Sequence, residues 1–375
     1  MEMATAMKAR PVEFLDMSGA PAGQPAAWEP FLVPKEALDA ETEKLADAPA
    51  PGNGLRSSSI IHPRADSDFP SFTPGTRVTI NVLKPGERTA PRRSNCNRIE
   101  VCISGQGRIS AENELRAEQH DVWTIPPMTV FSHHNDSHSL WVWLSYANTP
   151  LLEKLGVLFE EEGDAIGSQE SEQEPVAEQA LALFDQAHAP DLPIGDLGAR
   201  LRGYEYLTDI SVVESKALIW PWRDIAPHMN LEAGDNGRNI WLLYNPATER
   251  RQGTSASYFA TYGGTPPGGP QFTGARGHRH TSASINYHTR GSGKSVVNGE
   301  AVEWKGGDLL YSAPGWSEHA HYWNEEGWTV ITVQDHPMHI AMGSLLWQED
   351  MNGPIYALGL EPGQKGYVGP RKVGE

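Results

Sequence analysis

Apolar and polar residues alternate in short runs along most of this chain, the period of two expected of strands that bury one face. The runs are Val78-Thr-Ile-Asn-Val82, Ile99-Glu-Val-Cys-Ile103, Asp121-Val-Trp-Thr-Ile125 and Leu140-Trp-Val-Trp-Leu144, then Ile240-Trp-Leu-Leu-Tyr244 and Ala256-Ser-Tyr-Phe-Ala260 onward to Gln334. Tight turns punctuate them at Gly291-Ser-Gly293, Asn298-Gly299 and Gly306-Gly307-Asp308. Helical spacing appears at Ala37 to Ala46 and again after Pro175, where Val176, Ala180, Leu183, Phe184 and Ala187 make one apolar stripe. Between the strand regions, Glu160 to Glu178 is acidic and poor in apolar residues, as a solvated linker would be. The pattern predicts a mainly β protein of two jelly-roll barrels joined by a partly helical linker.

Laid on each other, the two strand regions form an internal repeat. Arg92 to Gly105 spans the same interval as His278 to Gly291, Gly105-Gln-Gly107 matches Gly291-Ser-Gly293, and Asp121 before Pro126-Pro127 matches Asp308 before Pro314. The expected division is an arm over 1–70, a first barrel over 71–150, a linker over 151–235, a second barrel over 236–345 and a tail over 346–375.

Composition agrees: 375 residues allow two domains, and 37 Gly, 29 Pro and 12 Trp favour turns and short strands. A formal net charge of -18 argues against nucleic acid or an anionic membrane surface as a general partner. Cys96 and Cys102 read as reduced thiols. With neither a signal peptide nor a membrane-length apolar run evident, the expected location is the cytoplasm.

The repeats differ in their histidines. Residues i and i+2 of a strand share a face, so His278 and His280 can grip one ion while a neighbouring strand supplies His319. Spacing leaves Glu318 and His321 as alternatives for the third ligand. In the first repeat Arg92, Ser94 and Phe131 stand at those places, so that copy is expected to bind no such metal. His120, His133, His134 and His138 have no His-x-His partner strand and are not read as a second site. If His280 points inward, so do Ser282, Ser284, Asn286 and His288, which alternate with Ala283, Ile285 and Tyr287. His321 is a candidate acid/base group and Asn286 a candidate catalytic contact. Ser284, Arg276, Arg290 and Trp316 are candidate substrate contacts, the arginines as a carboxylate clamp.

The order G-H-x-H, G-x-G, G-D, P-G and a His-rich strand resembles the cupin superfamily, and its duplication resembles bicupins. His278-Arg-His280-Thr281, Trp316-Ser-Glu-His319-Ala-His321 and Gln334-Asp335-His336-Pro337 are similar to the gentisate 1,2-dioxygenase-like ring-cleaving dioxygenases, a group with hydroxynaphthoate and salicylate relatives. Cupins usually carry a Glu ligand shortly after His-x-His. Here Ser284 or Ile285 stands in that place, and the gentisate group likewise uses three histidines. The resemblance implies Fe(II), an aromatic ortho-hydroxy acid chelating it through hydroxyl and carboxylate, O2 as co-substrate, and a homo-oligomer, dimer or tetramer. It also implies His321 moving protons, with Asn286 and an arginine orienting the substrate. Two features depart from the group: the histidines lie in the second barrel rather than the first, and Asn286 replaces an inward-facing arginine. The same fold also serves cupin lyases, isomerases, other dioxygenases and non-catalytic binding proteins.

Overall fold

The computed structural model describes residues 13–23, 26–166, 191–194, 196–202, 216–230, 239–248, 253–268 and 277–360. Its larger sheets are antiparallel and belong one to each repeat. The first runs Leu218–Trp220, Val122–Ile125, Arg98–Ser104, Trp141–Ala147, Arg77–Leu83 and Arg56–Ile60, opposed by a small sheet of Glu114–Glu118, Gln106–Ser110 and Ser132–His134. The second runs Phe31–Val33, Leu309–Ala313, Ser284–Val297, His319–Gln334, Phe259–Thr265 and Asn239–Leu242, with Glu300–Lys305 paired to the far half of Ser284–Val297. Opposing it is a small sheet of Arg279–His280, Leu346–Gln348 and Tyr356–Ala357.

Alternation sends the two faces of each large sheet to different places. Val78, Ile80, Val82, Val142, Leu144 and Tyr146 of the first sheet join Ile285, Tyr287, Ile331 and Val333 of the second in one buried cluster, so the barrels pack sheet against sheet. Each such aliphatic side chain contributes roughly 1.5–3 kcal/mol of transfer free energy. The opposite faces part company. In the first barrel Trp123, Trp141, Trp143, Ile109 and Leu83 fill the interior. In the second, the corresponding face carries histidine, serine and asparagine around a cavity.

The repeat extends to details of pairing. An isolated bridge joins Arg92 to Phe131 in the first barrel and His278 to His319 in the second. Asp121 accepts the backbone N–H of Glu118 at 2.8 Å and of Trp222 at 2.7 Å. Asp308 likewise accepts those of Lys305 and Lys35, both at 2.8 Å. Each aspartate therefore closes its own turn and also satisfies an N-terminal donor of a distant helix, Trp222–Ile225 or Lys35–Asp47, neither of which has a side-chain cap of its own.

The segments expected to act as arm and linker thus supply strands as well as connections. Phe31–Val33 pairs with Leu309–Ala313, and Leu218–Trp220 with Val122–Ile125. The helix expected at Ala37 to Ala46 forms as Lys35–Asp47. The run at Ala256 to Ala260 becomes a strand only at Phe259, because Ser255 Oγ accepts the N–H of Tyr258 at 3.0 Å and holds the preceding residues in a turn. The stripe after Pro175 lies outside the described residues. Gly291 has φ +86° with Gly327 O only 2.1 Å from where a Cβ would lie, so the two long strands approach over a position that admits no side chain. No described helix is long and apolar enough to cross a membrane.

Candidate metal centre

His280 ends the two-residue strand Arg279–His280, which is paired to Leu346–Gln348, and His278 is bridged to His319 at the start of the long strand His319–Gln334. The three rings converge: centroids lie 4.3 Å apart for His278 and His319, 4.8 Å for His280 and His319, and 5.6 Å for His278 and His280. One ligand nitrogen from each falls within 4.8 Å of the others, the one such cluster of three or more metal-ligating side chains among the described residues.

Hydrogen bonds on the far side of two rings fix their tautomers. His280 Nδ1–H donates to the Ser282 carbonyl at 2.9 Å, and His319 Nδ1–H to the Ser317 carbonyl at 3.1 Å. A carbonyl can only accept, so Nδ1 carries the proton and Nε2 presents a lone pair. Burial, and the neighbouring His319 and His336, hold the His280 pKa well below the ordinary histidine range, which keeps the ring neutral. Ser282 Oγ and His336 Nδ1 are hydrogen-bonded at 2.9 Å. His336, pushed down to about 3 by burial, stacks on Phe259 at 5.4 Å behind the cluster. Three imidazoles form a donor set that fits a first-row divalent ion.

The cluster opens on a cavity of about 220 Å³ walled by Trp328, Trp347, Ile240 and Val330. Its polar lining is His321, Ser284, Asn286, Thr261, Thr332 and Gln334. Asn286 Nδ2 donates to Ser312 Oγ at 3.0 Å, and Thr332 is the cross-strand partner of both Asn286 and Thr261, so a row of neutral hydrogen-bonding groups crosses three strands.

No family model matches the chain. Over 304 residues it is 25% identical to the 1-hydroxy-2-naphthoate 1,2-dioxygenase of Nocardioides sp. (strain KP7), covering 79% of this chain and 71% of that one. Over 306 residues it is 22% identical to the 5-aminosalicylate 1,2-dioxygenase of Comamonas sp., covering 80% and 76%. Among solved structures, the salicylate 1,2-dioxygenase of Pseudaminobacter salicylatoxidans superposes with a TM-score of 0.68 at 16% identity over 88% of this chain and 90% of that one. A variant of that enzyme in complex with gentisate gives 0.68 at 16% identity over 88% of each. The chain has the bicupin fold of these structures and is similar in sequence to ring-cleaving 1,2-dioxygenases.

The bicupin gathers His278, His280, His319, His321, Ser284 and Asn286 around one cavity. Glu318, an alternative ligand by spacing, is exposed and lies outside the cluster. Trp316 does not line the cavity; the Arg279 guanidinium lies over its ring at 4.6 Å. Arg290 is exposed on a separate cavity of about 360 Å³ beside His120 and Trp222, so it makes no clamp over the cluster. Strand pairing across a register shift near Arg290 sends it to the other side of the sheet. Arg276 lies outside the described residues. His288 shares the parity of Asn286 but is fully buried against Trp304, their rings 3.9 Å apart.

In the first barrel of the bicupin, Trp141 and Trp143 pack on His133 in the interior. His133 Nε2–H donates to Glu100 at 2.8 Å and Trp123 Nε1–H to the same oxygen at 2.7 Å. Burial would raise the Glu100 pKa, but His133 and Arg98 outweigh it and bring the carboxyl down to about 2.

Thr261, Thr332, Gln334 and Trp347 are site residues that sequence reasoning passed over. Thr332 and Gln334 alternate with Ile331 and Val333, a visible signal. Their parity is opposite to that of His319 and His321, because the strand changes register on the way.

Proposed function

We propose that this bicupin is an Fe(II)-dependent dioxygenase that opens the ring of an aromatic ortho-hydroxy acid with O2, its metal held by His278, His280 and His319. The observation that carries this is the convergence of three imidazoles on a cavity of the second barrel, at a place where the first barrel is filled by tryptophan side chains. Bound there, Fe(II) supplies a Lewis acid with open positions for a chelating hydroxyl and carboxylate and for dioxygen. Both atoms of O2 enter the product, so no external reductant is consumed.

The chain's own residues bind and orient. Trp328 and Trp347 offer faces to an aromatic ring. Asn286, Thr332, Thr261 and Gln334 give its edge hydrogen bonds, and His321 meets an oxygen near the metal. Ligand sites usually measure roughly 300–1,000 Å³. The volume of about 220 Å³ here therefore favours a single ring, of salicylate or gentisate type, over a fused pair.

The filled first barrel serves as a structural partner, and the two arms that complete the sheets belong to the scaffold. Cytoplasmic location is supported by the two free, buried thiols, Cys102 being pushed up to about 12 by burial. A homo-oligomer is supported by the edge strand Asn239–Leu242, where Ile240, Trp241 and Leu242 are 49%, 41% and 40% exposed.

The test is anaerobic loading with Fe(II) followed by oxygen uptake and absorbance with gentisate, salicylate and 1-hydroxy-2-naphthoate. Uptake with ring opening is expected. Turnover that consumes no oxygen, or tight binding without turnover, would replace this reading with a lyase, an isomerase or a binding protein.

A further inference from the structure

His321 stands two residues from His319 yet is held by a different kind of partner. Ser295 Oγ lies 2.8 Å from His321 Nδ1, and Trp304 Nε1–H donates to that same oxygen at 3.2 Å. Ser295 is 0% exposed and Trp304 3%. An indole nitrogen is a donor only, so it occupies a lone pair of the hydroxyl and cannot take its proton. Of the two partners of this hydroxyl among the described residues, only His321 Nδ1 can accept its proton. Strand pairing makes the arrangement rigid, since Ser295 is the cross-strand partner of both His321 and Val302.

We infer that Ser295, locked by Trp304, is a positioning residue that donates to His321 Nδ1 and thereby keeps the His321 proton on Nε2, so that the ring offers the cavity an N–H donor. Neighbours along one strand thus hold opposite tautomers. His319 gives its Nδ1–H to the Ser317 carbonyl and presents a lone pair. His321 receives a hydroxyl proton at Nδ1 and presents N–H. What the N–H meets rests on the proposed function: an oxygen of the bound aromatic acid, where it can steady negative charge and deliver a proton as the ring opens.

The tautomer is measurable without turnover. The full chain labelled with 15N-histidine and loaded with Zn(II) is examined by long-range 1H–15N correlation, with the His321 signals assigned from H321N. The wild type and S295T are expected to show the Nε2–H pattern. S295A should lose it in favour of Nδ1–H or a mixture, and W304F should weaken it. An Nδ1–H pattern in the wild type, or an unchanged pattern in S295A, overturns the proposal. With Fe(II), S295A is expected to lower kcat about tenfold or more with KM little changed, and S295T to restore most of it. Loss of the tautomer with kcat intact would overturn the role assigned to Ser295. A wild type that consumes no oxygen would instead sink the ring-opening reading while the spectra still decide the tautomer.

Discussion

Acid should destabilise the second barrel through a histidine that touches neither metal nor substrate. His288 is fully buried, lies flat on Trp304 with centroids 3.9 Å apart and 9° between planes, and neither ring nitrogen has a hydrogen-bond partner. Burial lowers its pKa from 6.5 to about 3. The unfolded chain therefore takes up this proton at higher pH than the folded one. Stability is full above the unfolded value, declines as pH falls below it, and stops declining only near the folded value. At about pH 4 the gap amounts to roughly 2.5 pH units, which at 1.36 kcal/mol per unit is about 3 kcal/mol lost relative to neutral pH. His336, also lowered to about 3, adds a loss of the same sign. The substitution His288→Phe isolates the first of these, since it keeps an aromatic ring on Trp304 and removes two unpaired buried nitrogens. Urea unfolding of the metal-free wild type and variant at neutral pH and at about pH 4 gives the difference. The variant should lose about 3 kcal/mol less than the wild type on acidification and be no less stable at neutral pH. Parallel losses in the two proteins would refute the reasoning.

Replacing His278, His280 or His319 by alanine should abolish stoichiometric metal retention, read by elemental analysis, while circular dichroism stays that of a folded β protein. Retention of one metal per chain in any of the three would remove that residue from the set. With Fe(II), oxygen uptake should be at least about tenfold faster with salicylate or gentisate than with 1-hydroxy-2-naphthoate, a ratio of about 1.4 kcal/mol in barrier height. A faster two-ring substrate would show that the cavity volume does not set the choice. Glu100→Gln, which leaves His133 beside a neutral amide in the first barrel, should cost about 3–5 kcal/mol in urea unfolding. Metal content at neutral pH should not change, and metal loss in this variant would mean that the filled barrel takes part in binding.

The architecture was legible because its signals are local. Alternation in Val78–Val82 or Leu140–Leu144 marks a strand wherever it occurs, and the spacing of His278 and His280 needs only the pleat of a strand to bring both side chains to one face. The remainder was set by long-range registration. Arg290 sits four residues beyond Asn286, at the parity of the cavity, but a register shift turns it to the other side of the sheet. Trp316 looked like a pocket wall in a motif full of tryptophan, yet its ring lies beneath Arg279. The row of Thr261, Thr332 and Asn286 exists only because three separate strands align. Ser295 carried no mark at all, since a serine in a strand acquires meaning only from the ring across from it.

The paired aspartates that cap distant helices carry a consequence for how the molecule is made. Each strand-and-helix segment precedes one barrel in the chain but completes the sheet of the other, so the halves are mutual donors. During synthesis, the segment around Lys35 emerges early and stays without its acceptor until Asp308, 273 residues further on, has left the ribosome. Cutting the gene between the barrels would leave each fragment with an open sheet edge, and the two would have to find each other before either became soluble.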